Sequence, residues 1–277
     1  MNKKFRIKQG LIYMILIVIS VVFLIPFIWL VRSSLMDLKQ IFIIPPEWIP
    51  NPVKWDNYPN ALTYIPFARY FINTILIVVV SLTGIFLTST LSAYSFARLR
   101  WMGRDLFFAL ILATMMLPSA VTLIPTFIGW KSIGLYNTYA PLIVPAFFGG
   151  GAFNIFLLRQ FYMTLPFELD EAAKIDGAGY FMIYWRIILP LSRSAVIVVG
   201  IFAFMFYWND FFGPLIYLSK PINYTLALGL QLFRSMYFSQ WNLLMAASTV
   251  VILPCIIIFL IGQKYFIQGI ALSGLKG

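Results

Sequence analysis

The sequence predicts an all-α integral membrane protein of six transmembrane helices, with a helical cytoplasmic loop between spans four and five. Three observations predict it. Of the 277 residues, 61% are hydrophobic and only 10% charged, too few for a water-soluble domain of this size to cover its apolar surface. The apolar residues fall into six runs, each long enough to cross roughly 30 Å of hydrocarbon as a helix. The cations gather at the ends of those runs, as a topology signal does.

The spans follow in order. Lys3, Lys4, Arg6 and Lys8 precede the first, about 11–31. Its apolar run is too long for a signal peptide and no small-residue cleavage site follows, so a retained span is expected. Residues 32–70 are the longest polar interval. Pro45, Pro46, Pro50, Pro52, Pro59 and Pro66 block a long helix there, and the neighbouring tryptophans and tyrosines suit an interfacial or partly packed external loop. The second span, about 71–96, is closed by Arg98, Arg100 and Arg104. The third, about 106–128, contains Pro118 and Pro125. The fourth, about 139–161, contains Pro141, Pro145 and the run Gly149-Gly150-Gly151-Ala152. Prolines at membrane depth break or kink helices and free backbone groups beside a cavity, which is the expectation for both. The helical loop, 164–190, leads to a fifth span, about 194–216. A polar loop to Gln240 and a sixth span, about 241–266, complete the chain. No linker divides residues 1–277, which read as a single transmembrane domain, and no convincing internal repeat appears.

Six spans place both termini on one side, and 13 of the 20 lysines and arginines lie there. The bias makes the termini and the helical loop cytoplasmic. It also explains the net charge of +11 without nucleic acid, because the cations flank lipid-crossing segments instead of forming a basic face. There is no histidine, and the lone cysteine, Cys255, lies inside the last apolar run. A transition-metal site or a histidine-based triad therefore has almost no raw material. No GxxxxGK[ST] loop occurs, so ATP chemistry through a P-loop would have to come from another polypeptide, and no cofactor is expected on this chain.

The helical loop, TLPFELDEAAKIDGAGYFMIYWRIILP, reads as two short helices around a glycine hinge. Pro166 suits a first helical turn, and Glu168, Asp170 and Glu171 lie where the helix dipole favours negative charge. Leu165, Leu169, Ala172, Ala173 and Ile175 form a small apolar stripe, and Asp170 stands four residues before Lys174. Gly177 suits the left-handed residue that closes a helix, and Gly179 leaves room for a sharp turn. A second amphipathic run, 180–189, is expected to stop at Pro190. Helices this short are marginal alone, so a partner surface would account for them.

Within this loop stand Glu171-Ala172-Ala173, three residues, Gly177, nine residues, then Ile187-Ile188-Leu189-Pro190. The pattern resembles the EAA loop of membrane permeases in bacterial ABC importers. Further motifs narrow the likeness: Arg69-Tyr70-Phe71-Ile72-Asn73-Thr74, Leu117-Pro118 with Ile124-Pro125, Trp208-Asn209-Asp210-Phe211, and the tail Phe266-Ile267-Gln268-Gly269 with Lys276-Gly277. Together they resemble the maltose-type carbohydrate permeases, specifically the smaller six-span partner of the pair, over nearly the whole chain. The resemblance implies a heterodimer with a second permease chain, two cytoplasmic ATPase domains that hold ATP and magnesium, and an extracytoplasmic solute-binding protein that delivers the sugar. It implies that Glu171, Ala172, Ala173, Asp176, Gly177, Ile187, Leu189 and Pro190 belong to a coupling helix seated in an ATPase cleft. It also implies that the loop from Tyr217 to Gln240 reaches the binding protein and that the tail from Gln268 to Gly277 enters the ATPase interface.

Polar groups inside spans are costly unless paired or facing water, which makes Asn73, Thr74, Asn154, Asn209 and Asp210 candidates for a translocation path. Thr83, Thr88, Ser89 and Thr90 share the second span, where hydrogen bonding between helices accounts for them equally well. Asp210 is the only acid within the proposed spans. It either lines a sugar-accepting surface beside Trp208, Asn209, Phe211 and Phe212 or caps a helix near the interface. The rival to an importer subunit is a self-sufficient secondary carrier or an integral membrane enzyme, and both normally need titratable groups inside the membrane. The carried sugar, polyol or glycerol phosphate is open at this level.

Overall fold

Helices make up every regular element longer than a single bridge pair among the described residues of the computed structural model, which gives the backbone of 3–234 and 239–274 and the side chains of 9–234 and 239–265. In chain order they are α1 (Lys3–Ser34), α2 (Leu38–Ile41), α3 (Asn57–Tyr64), α4 (Phe67–Arg98), α5 (Arg104–Thr114), α6 (Ser119–Ser132), α7 (Ala140–Ile143), α8 (Ala152–Thr164), α9 (Glu168–Ile175), α10 (Tyr180–Ile183), α11 (Leu189–Leu191), α12 (Arg193–Trp208), α13 (Phe212–Tyr217), α14 (Leu226–Gly229) and α15 (Trp241–Gly274). Among the described residues, four stretches are long and apolar enough to cross a membrane: Gln9–Ser34, Phe67–Arg98, Ala140–Thr164 and Trp241–Tyr265. Two more spans arise if each of two bent helix pairs counts as one.

The chain forms two compact units, Met1–Phe67 with Gly229–Leu253 and Ala68–Leu228 with Pro254–Gly277. In the first, α1 is exposed from residue 9 to residue 26, as a helix in lipid is, and buries Arg32, Ser33 and Ser34 at its end. The proline-rich interval behind it is tied down at its two ends, while residues 42–49 and 51–56 are exposed. Asp37 accepts the Gln40 amide at 2.9 Å to start α2. Asn57 at the head of α3 donates to the Ser34 and Met36 carbonyls at 2.9 and 2.7 Å, and accepts from Asn242 at 2.9 Å.

In the second unit α4 is an unbroken helix of 32 residues whose buried face carries small and hydroxyl residues. Thr74, Thr88 and Ser89 return their hydroxyls to carbonyls four residues back, at 2.8, 2.7 and 2.5 Å, so the polar run on this span is satisfied chiefly by its own backbone. Gly84 and Gly150 mark close approaches. An added Cβ would stand 2.7 Å from the Phe147 ring at the first and 2.9 Å from Ser89 at the second.

The proline expectations are met unevenly. The third span is two helices, α5 and α6, bent by 96° where Pro118 precedes α6, whereas Pro125 lies within a continuous α6. The fourth opens with α7 and a 3₁₀ turn, Val144–Phe147, then breaks at Gly149, Gly150 and Gly151, all at positive φ, before α8. The fifth span ends at Trp208 and not near residue 216. Residues 209–211 interrupt it, and α13 follows as a separate short helix.

Candidate functional site

The segment between α8 and α12 stands apart from the apolar helices in composition. α9 starts at Glu168, with Pro166 two residues ahead of the helix instead of in its first turn. Its N-cap, Phe167, offers no side-chain acceptor, and the acids Glu168, Asp170 and Glu171 meet the positive helix end instead. At the other end Gly177 (φ 82°) closes α9 in a Schellman motif. Ala178 N–H donates to Ala173 at 2.8 Å and Gly177 N–H to Lys174 at 3.0 Å. No atom lies within 4 Å of where a Gly177 Cβ would stand, so the turn, not crowding, demands glycine.

The face α9 buries differs from the expected stripe. Asp170 and Ala173 are buried, whereas Leu169, Ala172 and Ile175 are exposed, Ile175 by 87%. Asp170 does not pair with Lys174, whose ammonium lies over the Tyr180 ring. It turns inward to Arg98 at the end of α4, Oδ2 to Nη1 at 3.1 Å, with the two side chains 6% and 0% exposed. Arg98 Nη2 also donates to the Leu165 carbonyl at 2.9 Å, and its guanidinium stacks 4.5 Å from the Phe167 ring centroid. One turn back on α4, the Tyr94 hydroxyl donates to the Tyr180 carbonyl at 3.1 Å. One turn further, Thr90 and Tyr184 share a hydrogen bond of 2.8 Å. Thr90, Tyr94 and Arg98 are four residues apart, so a single face of α4 grips the whole segment.

The second helical run passes through Pro190 and ends at Leu191, two residues later than its proline implies. A π-turn, Tyr184–Ile188, precedes the proline. Widening the turn moves the carbonyl four residues back away from the pyrrolidine ring. Ile183, Tyr184 and Ile188 are buried, and Ile187 and Leu189 pack half-buried against the same core. Ser192 then donates to the Ile188 and Leu189 carbonyls at 2.7 and 3.1 Å, and the chain bends by 77° into α12. The eight motif residues thus divide. Ala173, Ile187 and Leu189 face the core, while Glu171, Ala172, Asp176, Gly177 and Pro190 are exposed.

The residues singled out for a path are not brought together. Asn73, at the start of α4, donates to the Ile222 and Tyr224 carbonyls at 3.0 and 2.9 Å, and Thr74 Oγ1 accepts the Leu226 amide at 2.9 Å. Both hold the loop before α14. Asn209 donates to its own helix at Met205 and touches Cys255, and Asp210 accepts the Gly213 amide at 2.9 Å, the capping role. Asn154 alone lines a cleft of about 400 Å³, with Phe153, Phe202, Phe206 and Tyr207 beside the Gly150-Gly151 break. Tyr94 and Asn137 escaped sequence reasoning, and Arg98 entered it only as a residue closing the second span. Asn137, at φ 59°, accepts the Ser219 and Lys220 amides at 3.0 Å each. Lys276 and Gly277 of the tail motif, and the side chains of 266–274, lie outside the described residues, as do residues 235–238 of the loop from Tyr217 to Gln240.

A chain of long apolar helices, one of which holds a polar helical segment through Arg98, Tyr94 and Thr90, has the make-up of a membrane component. The chain belongs to the family of binding-protein-dependent transport system inner membrane components, whose model matches residues 84–272. It is 31% identical over 280 residues, covering 100% of this chain and 91% of the relative, to a probable ABC transporter permease protein, YurM, of Bacillus subtilis. It is 33% identical over 249 residues, 86% of this chain and 87% of the relative, to the sn-glycerol-3-phosphate transport system permease protein UgpE of Yersinia pestis. Among solved structures, a bacterial ABC transporter involved in import of the acidic polysaccharide alginate shares the fold with a TM-score of 0.83 at 22% identity, covering 96% of this chain and 99% of that one. A bacterial alginate ABC transporter in complex with an alginate pentasaccharide-bound periplasmic protein matches at a TM-score of 0.67 and 16% identity, over 93% and 94% of the two chains.

Proposed function

We propose that this chain is the smaller permease of a carbohydrate ABC importer and that α9 is its coupling helix. In this reading residues 1–277 form one transmembrane domain of six spans, with both termini and α9 in the cytoplasm and the loop from Tyr217 to Gln240 on the side of the solute-binding protein. A second permease chain completes the pore. Two ATPase domains hold ATP and magnesium, so this chain performs no hydrolysis. ATP's differential affinity for closed and open ATPase dimers biases the pore between outward and inward access, with α9 moving as a lever.

The observation that carries this reading is the exposed face of α9. Glu171, Ala172, Ile175 and Gly177 lie outward on a helix whose other face is fixed, and the segment exposes Leu169, Ile175, Tyr180 and Phe181 as well, a run of apolar surface that supports a partner. Glu171 enters no ion pair among the described residues, which leaves its carboxylate for a cation of the ATPase. The cargoes named for the relative and the fold neighbours, a phosphorylated polyol and an acidic polysaccharide, support a polyhydroxylated solute.

The test is capture of the tagged chain from its native membrane in mild detergent, followed by mass spectrometry, beside a Glu171→Lys variant. An ATPase, a second permease and a binding protein are expected with the parent chain, and the ATPase is expected to be lost from the variant. A chain recovered alone would overturn the reading in favour of a self-sufficient carrier.

A further inference from the structure

α4 is gripped at both ends by segments that are not helical neighbours in sequence. At its start Asn73 and Thr74 bind backbone groups of residues 222, 224 and 226. At its end Thr90, Tyr94 and Arg98 bind the segment carrying α9. Between the grips α4 contains no proline and no break, and Asn73 to Arg98 spans about 38 Å at the rise of an α-helix. An unbroken helix resists bending far better than the loops at either end.

We propose that α4 is a stiff strut joining the loop before α14 to α9, with Asn73 and Arg98 as positioning residues that make the two ends move as one body. The proposal rests on reading α9 as the coupling helix, because only then does the strut link the ATPase side to the binding-protein side. Arg98 is the decisive grip. It reaches the Leu165 carbonyl, the Phe167 ring and the Asp170 carboxylate at once, and therefore fixes both the position and the rotation of α9. A change at α9 that left Arg98 seated would have to carry α4 with it.

The experiment places nitroxide labels at Glu168→Cys and Ile222→Cys, both exposed, in a Cys255→Ser background, and reads their separation by pulsed electron resonance. The sample is the complex as purified from the native membrane, without nucleotide and then trapped with ATP, magnesium and vanadate. A strut gives one narrow distance that does not change on trapping. Arg98→Ala is expected to at least double the width of that distribution, and Arg98→Lys, which keeps a cation facing Asp170, to narrow it again. A distance that shifts on trapping in the parent chain overturns the strut, and an unbroadened distribution in Arg98→Ala overturns the role of Arg98. If Arg98→Ala does not accumulate, Asp170→Asn takes its place with the same expectation. If no ATPase accompanies the chain, the coupling reading fails, while the comparison of variants still decides whether α4 joins its two ends rigidly.

Discussion

The two ends of α4 are held by opposite chemistries. Near Asn73 the grip is neutral, an amide and a hydroxyl meeting the backbone of an irregular loop whose carbonyls and amide have no helical partners. At Arg98 the grip is an ion pair excluded from water, stacked on an aromatic ring and tied to a carbonyl. Neutral bonds of this kind contribute about 1 kcal/mol each and fail one at a time. A buried charge is tolerated only while its partner stays, so the second grip is close to all-or-none. The end that presents α9 outward is therefore the one fixed most stringently in position.

The largest effect follows from that asymmetry. Asp170→Ala leaves the Arg98 guanidinium buried and uncompensated, a loss of about 3–5 kcal/mol, and lowers the thermal midpoint of the purified chain. Amide exchange over 168–176 accelerates at the same time. Replacing both partners, Asp170→Ala with Arg98→Leu, restores most of the midpoint, because no unpaired charge remains. A single variant as stable as the parent would show that Arg98 finds other partners and that the ion pair is incidental.

At the opposite end the expected cost is smaller. Asn73→Ala removes two donors from the Ile222 and Tyr224 carbonyls and is expected to cost about 1–2 kcal/mol. Exchange should quicken around residues 222–226 and stay unchanged over 168–176. If both regions loosened together in this variant, the grips would not be independent and the contrast between them would collapse.

How much of this was legible in the sequence divides along the same line. The apolar runs that form the four long stretches, the Pro118 break and the glycine closing α9 follow from local rules, and each stands in the structure. The Arg98–Asp170 pair does not, because an arginine at the end of a span is already accounted for by topology and its partner is 72 residues away. The stripe on α9 misled for a related reason. A 3.6-residue period identifies an apolar face without saying whether the chain itself or a partner covers it, and Ile175 lies on the uncovered side. The fifth span read too long because the aromatic residues around Asn209-Asp210 keep hydropathy high, whereas the helix stops where Asp210 captures the Gly213 amide. Asn73 and Thr74 read as membrane-buried polar groups and are indeed buried, but the partners they find are backbone atoms of an irregular loop that no periodicity announces.

The smallest effect sharpens what Gly177 contributes. Its φ of 82° is strained for a side chain, yet a Cβ there meets nothing within 4 Å. Gly177→Leu should cost about 1–2 kcal/mol through the left-handed backbone alone, and Gly177→Asn distinctly less, since asparagine visits that region readily. Exchange at the Ala178 amide reports the cap directly, because that amide makes the longer-range Schellman bond to Ala173. On the proposal that α9 is a coupling helix, capture of the proposed ATPase then separates two roles for one residue. If Gly177→Asn retains the ATPase and Gly177→Leu loses it, the glycine serves the turn that aims Glu171 and Ile175 outward. Loss in both variants, with the Ala178 amide still protected in Gly177→Asn, would mean that the partner's surface needs the empty space beside the glycine, and the stringency of this end would lie in docking as well as in the grip of Arg98.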